Sequence, residues 1–197
     1  MVGIVLGAGS SRRLGRPKQT LPLGDTTVLG WVMRQVEASS LQRVVLVLGG
    51  AAEQALAGLQ LRRTRVVHND SYGSGCASSL QAGLDAAGSC QAIMLLLGDM
   101  PGVDAAVIDA VLGAFERQPS WTAVTSYQGE LGHPFVFCAE AFAALRALHG
   151  DKAVWKLLER HPDRVRKLEV ERPRPRDVDT WEDYREVTAA LQAPRAG

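Results

Sequence analysis

The residues best suited to chemistry fall into a few short segments of the 197-residue chain. Near the start, Leu6-Gly7-Ala8-Gly9-Ser10-Ser11-Arg12-Arg13-Leu14-Gly15-Arg16-Pro17-Lys18 combines three glycines, two hydroxyls and four cations, and no acid precedes Asp25. Glycine lets backbone approach an anion, and Arg and Lys neutralise phosphate oxygens, so the segment suits a triphosphate cradle. An ordinary βα turn with solvated arginines reads the same way from spacing alone. Two better-known phosphate loops do not fit. Arg12 occupies the last position of G-x-G-x-x-G, and Lys18 lies between Pro17 and Gln19 instead of in Gly-Lys-Ser/Thr.

Leu95-Leu96-Leu97-Gly98-Asp99-Met100-Pro101 sets a carboxylate just past an apolar run. Open α/β sheets bind ligands outside the carboxyl ends of their strands, and Mg²⁺ takes one or two acids plus substrate phosphates. A turn aspartate capping the next segment fits equally well. Asn69 to Leu84 is a polar, glycine-broken loop feeding a helix whose N-terminus suits an anion or a base edge, or is simply a cap. His133, between Gly132 and Pro134, is expected on a loop and not in a core. Thr180 and Asp183 match a capping box at the start of a last helix, close to the carboxylates of Asp177 and Asp179.

These groups need a scaffold. Short apolar runs at Val2–Leu6, Val44–Leu48, Arg65–His68 and Ala92–Leu97 alternate with helical spacings at 27–38, 76–87 and 104–117. Trp121–Ser126, Pro134–Cys138 and Val165–Val170 look extended; 139–148, 153–160 and a segment after Thr180 look helical. Strands alternating with helices predict an α/β fold with a mostly parallel sheet covered on both faces, and continuous apolar strands agree. Residues 1–192 are expected to form one domain and 193–197 a frayed tail.

Hydrophobic residues at 46% and charged residues at 22% are ordinary globular usage. A net charge of +1 gives no global reason for a nucleic-acid or acidic-membrane partner. The apolar run at the N-terminus is too short for a membrane span and its basic residues follow it, so neither a span nor a signal peptide is expected and the cytoplasm is the expected location. Cys76, Cys90 and Cys138 match no disulfide or zinc spacing and read as idle thiols.

The opening segment resembles the signature L-A-A-G-x-S-x-R-M-G-x-x-K of nucleotidyltransferases, with Gly7 in place of Ala and Leu14 in place of Met. The nearest branch is the molybdenum cofactor cytidylyltransferases and their guanylyltransferase relatives. Gly98-Asp99-Met100-Pro101 resembles G-D-x-P, Asp177 to Tyr184 resembles D-I-D-T-P-E-D-Y, and 69–84 resembles N-x-x-x-x-x-G-x-x-S-S-L-x-x-G-L. Gly132-His133-Pro134 resembles G-H-P. Gly150 to Leu158 resembles G-D-x-G-A-R-x-L-L, with Ala153 for Gly and Trp155 for Arg. The resemblance runs from Val2 to Tyr184.

It implies a Rossmann-like three-layer sandwich of the nucleotide-diphospho-sugar transferase type. It also implies transfer of a nucleoside monophosphate to the terminal phosphate of molybdopterin, with loss of pyrophosphate. Arg13, Lys18 and Asp99 would be catalytic, and Mg²⁺ would be held by Asp99 with Asp179. The nucleotide would lie on Leu6, Gly7, Ala8, Gly9, Ser11, Gly15, Asn69, Gly75 and Ser79. The acceptor would meet His133 and Asp151, although loss of the Arg at position 155 removes a phosphate contact that Trp cannot make. Ala8 at the informative position favours CTP over GTP. The expected partners are these small molecules and a molybdenum enzyme that receives the cofactor, with a monomer or weak homo-oligomer. The alternatives are a GTP-dependent molybdopterin guanylyltransferase and a non-catalytic chaperone that binds the molybdenum cofactor for enzyme maturation.

Overall fold

The computed structural model describes residues 1–9, 11 and 13–192. Ser10 and Arg12 of the basic segment, and the tail 193–197 expected to fray, lie outside the described residues. The strands are β1 (Val2–Gly7), β2 (Pro22–Leu23), β3 (Thr26–Thr27), β4 (Arg43–Leu48), β5 (Thr64–His68), β6 (Ala92–Leu97), β7 (Thr122–Tyr127), β8 (Glu130–Cys138) and β9 (Val165–Val170). The helices are α1 (Val28–Ala38), α2 (Ala52–Leu56), α3 (Cys76–Ala87), α4 (Ala105–Arg117), α5 (Phe142–Arg146), α6 (Ala153–Arg160) and α7 (Trp181–Gln192).

Seven strands form one sheet in the order β5-β4-β1-β6-β8-β7-β9, and β2 with β3 makes a separate small ribbon. The ladders are parallel except where β8 inserts antiparallel between β6 and β7. The chain steps outward from β1 through β4 to β5, then returns to place β6 on the other side of β1. The carboxyl ends of β1 and β6 therefore flank the reversal where open sheets bind ligands.

Alternate side chains divide between two cores, which is why each strand reads as continuously apolar. Val5, Leu46, Leu48, Met94 and Leu96 pack with α1, α2 and α4 on one face. Ile4, Leu6, Val45, Val47, Ile93 and Leu95 pack with α3, α5 and α6 on the other. A third cluster, Leu14, Leu21, Leu23, Val28, Val178 and Val187, fastens the segment after the glycine loop to α7.

Local chemistry sets the helix starts. Thr27 Oγ1 accepts from the Gly30 N–H at 3.1 Å, and Asp104 Oδ1 accepts from the Val107 N–H at 3.1 Å. Thr180 and Asp183 form the expected reciprocal pair, with Asp183 Oδ2 accepting from the Thr180 N–H at 2.9 Å and the Asp183 N–H donating to Thr180 Oγ1 at 3.2 Å. The helix expected over 139–148 is only a 3₁₀ turn at Ala139–Ala141 followed by α5, because the Ala139 N–H is still donating to Gln91 O at 2.8 Å beside the sheet. The extended segment expected from Pro134 begins at Glu130. The two-residue turn Gln128-Gly129, with φ 51° and 92°, joins it to β7 as a hairpin and so dictates its antiparallel direction. Among the described residues no helix is long and apolar enough to cross a membrane.

Candidate active site

The two chemically loaded segments meet at the ends of β1 and β6. A Cβ at Gly98 would lie 2.9 Å from Leu29 Cδ1 and 3.1 Å from Leu6 O, so only glycine lets the chain leave β6 this close to β1. The next residue is Asp99. Lys18 opens a 3₁₀ turn, Lys18–Thr20, and its backbone N–H donates to Ser11 Oγ at 2.9 Å. Its ammonium makes an ion pair with Asp99 Oδ2 and donates to Asp179 Oδ1 at 2.7 Å. Asp179 comes from the extended strap 171–180, held in place by fully buried Val178, whose N–H donates to Asp99 O at 2.9 Å. Arg13 is exposed and stands 3.7 Å from Asp179 Oδ2.

Burial opposes the Lys18 charge, but Asp99 and Asp179 outweigh it and hold the ammonium above its usual range. Burial pushes Asp99 upward and the nearby charges of Asp177 and Asp179 add to this, against the pull of Lys18. Asp99 Oδ1 is buried and has no hydrogen-bond partner. A buried oxygen of that kind is costly unless something coordinates it. With Asp179 it offers two hard oxygen donors, the usual protein share for Mg²⁺ or Mn²⁺ beside nucleotide phosphates, so the residues fit such an ion. Among the described residues no group of three or more His, Cys, Asp and Glu could hold a metal unaided.

The glycine loop is braced from below. Gln19 Nε2 donates to Gly7 O at 2.8 Å and to Gly9 O at 3.2 Å, which pins two carbonyls away from the exposed surface of Gly9. Leu6, Gly7 and Ala8 are buried; Ser11 and Gly15 take positive φ, 48° and 68°, which turn the chain back toward Lys18. Beside the loop a cleft of about 350 Å³ is lined by Gly49, Gly50, Glu53, His68, Asp70 and Tyr72, among others. A Cβ at Gly49 would sit 2.7 Å from Tyr72 Cγ and 3.1 Å from Ala8 O, which ties this cleft directly to the loop.

Asn69 and Ser79 do not present free groups. Asn69 Nδ2 donates to Ser78 Oγ at 2.9 Å and Ser79 Oγ at 3.0 Å, its Oδ1 accepts from the Ser71 N–H at 3.0 Å, and both Asn69 and Ser79 are buried. Asn69 also lines the cleft, with its amide committed to its own loop and to α3. Gly75, at φ 108°, packs where a Cβ would meet Gly150 C at 2.7 Å. Asp151 Oδ1 accepts from the Cys76 N–H at 2.9 Å and so caps α3. The Cys76 thiol is exposed, not idle in a core. Desolvation, then the charges of Asp151 and Asp99, push it up to about 11 against the pull of Lys18. Those charges draw α3, the loop before α6 and the Lys18 cluster into one electrostatic neighbourhood.

The model of the MobA-like NTP transferase domain matches residues 3–165. The chain belongs to that family. Among curated proteins, nicotine blue oxidoreductase of Paenarthrobacter nicotinovorans is 29% identical, over 92% of this chain and 93% of its own length. The probable molybdenum cofactor guanylyltransferase of Opitutus terrae is 34% identical over 54% of this chain and 51% of its own. Among solved structures, Rv0371C of Mycobacterium tuberculosis H37Rv in complex with manganese superposes with a TM-score of 0.79 at 36% identity, covering 95% of this chain and 96% of that one.

In this MobA-like domain His133 and its surroundings differ most from expectation. His133 is not on a loop. It lies inside β8, is buried, stacks on Phe135 with ring centroids 3.9 Å apart, and its Nδ1 is 3.3 Å from Leu95 O. The longer β8 draws it beside β6. Burial lowers its pKa to about 4, so the ring is neutral at pH 7. Trp155 stands edge-on to Phe135, 4.9 Å between centroids, which makes this wall aromatic where an arginine was the expected residue. Four contributors went unsuspected in sequence: Gly49-Gly50, Tyr72, Gln19 and Cys76. The glycine pair closing an apolar strand was the available signal for the cleft. Nothing local marks Gln19 or Cys76.

Proposed function

We propose that the protein transfers the nucleoside monophosphate of an NTP, CTP in first place, to a phosphorylated acceptor of the molybdopterin type. The acceptor phosphate oxygen attacks the α-phosphorus, the bond to the bridging oxygen breaks, and pyrophosphate leaves with the electron pair. The observation that carries this reading is the Lys18–Asp99–Asp179 cluster, buried at Lys18 and Asp99 and half-open at Asp179, beneath a basic glycine loop at the ends of two parallel strands. The loop's N–H groups, Arg13 and Lys18 hold the β- and γ-phosphates and neutralise the leaving group. Asp99 and Asp179 would hold Mg²⁺, which would supply neutralisation of phosphate charge when bound. The cleft at Gly49-Gly50 and Tyr72 receives base and ribose. No protein nucleophile is needed, and a Cys76 thiol held near 11 is a poor one. His133 and Trp155 bound the acceptor side as an uncharged wall.

A guanylyl variant of the same reaction has one observation in its favour. Glu53 and Asp70, both exposed on the cleft, are carboxylates suited to the donor edge of guanine. Pyrophosphate release with Mg²⁺, molybdopterin and each of CTP, GTP, ATP and UTP decides between them. CTP-dependent release supports the reading, and GTP-dependent release supports the variant. Cofactor binding without release from any NTP leaves the chaperone and removes the transferase.

A further inference from the structure

We infer that Lys18 is the resident cation of the metal site, so that the free protein disfavours a divalent ion until a nucleotide draws the ammonium away. The two carboxylates proposed to hold the ion are the two that Lys18 Nζ touches. The lysine is deeply buried there, with a side-chain exposure of 11% against 16% for Asp99. An ammonium in contact with Asp99 Oδ2 and Asp179 Oδ1 repels a divalent cation and occupies one oxygen of each carboxylate, leaving Asp99 Oδ1 without a partner. The route away is short. Lys18 Cε lies 3.6 Å from where a Cβ of Gly9 would be, so the stem already runs along the glycine loop. Phosphates on that loop offer the ammonium a new partner at the moment they offer the ion additional oxygens. Ion and nucleotide then bind with positive coupling, reciprocal in both directions.

The inference rests on the metal reading above, and its test separates the two. Binding of Mn²⁺ alone to the free protein is followed by the EPR signal of the unbound ion. It is measured for wild type, Lys18→Met, Lys18→Gln, Asp99→Asn and the double variant Lys18→Met/Asp99→Asn, first without nucleotide and then with CTP. Lys18→Gln keeps a donor for Asp99 and serves if Lys18→Met fails to fold. The expected result is Mn²⁺ affinity at least about tenfold above wild type in the single Lys18 variants, within the 5–150-fold range usual for coupled sites, and loss of that gain in the double variant. Mn²⁺ should also raise the melting temperature of Lys18→Gln more than that of wild type. Affinity equal to or below wild type in the single Lys18 variants overturns the inference, while nucleotide-dependent Mn²⁺ binding that is lost in Asp99→Asn leaves the metal reading standing. A gain that survives Asp99→Asn puts the ion elsewhere and overturns both.

Discussion

Lys18 and Asp179 are 161 positions apart and meet at 2.7 Å. One sits just past the first strand and the other on a strap after the last, so the charged centre joins the two ends of the fold. Asp99, from the middle, completes it.

Asp99→Asn should cut pyrophosphate release by at least about a hundredfold, the scale on which lost electrostatic stabilisation is felt. The loss of stability should fall short of the roughly 3–5 kcal/mol of a buried ion pair reduced to one charge, because Lys18 keeps its contact with Asp179. Turnover and urea midpoint, measured together, check both parts. Turnover near wild type would remove Asp99 from the reaction.

His133 gives the fold an acid sensitivity. The unfolded chain takes up a proton near pH 6.5 and the folded one not until about 4, so this stabilisation is full above 6.5 and drains away as the pH falls toward 4. Between pH 7 and pH 5 the loss should be about 2 kcal/mol. His133→Gln should lose correspondingly less over the same interval, and equal losses in the two proteins would contradict the assignment.

Cys76 should be slow to alkylate despite its exposure. A thiol raised from 9.0 to about 11 carries about a hundredfold less thiolate at pH 8. Iodoacetamide labelling at Cys76 should therefore be far slower in folded than in urea-unfolded protein, and should accelerate in Asp151→Asn. Equal rates folded and unfolded would show that the thiol is not raised, and an unchanged rate in Asp151→Asn that this carboxylate does not reach it.

Gly75→Ala should destabilise by roughly 1–3 kcal/mol, since it combines positive φ with a backbone clash against Gly150. Gly15→Ala has positive φ but open space, so its penalty should be smaller, about 1 kcal/mol. Chemical denaturation of the two variants ranks them.

The scaffold was legible wherever a single element carried its own signal. The strand Ala92–Leu97, the helix Cys76–Ala87 and the cap at Thr180 all follow from local patterns. The antiparallel β8 was not, because Gln128-Gly129 lacks the usual Asn or Asp of a tight hairpin. Convergence of Lys18 with Asp99 was foreseeable from their places at strand ends. The commitments of Asn69, Ser79 and Asp151 to other protein groups were not, since a hydrogen bond formed inside the fold leaves no trace in residue type or spacing.

The strap through Val178 has a consequence for the ribosome. All seven strands of the main sheet precede it, and Asp179 and the helix that anchors it are made after them. A nascent polypeptide can thus pair every strand while its charged centre is still unfinished.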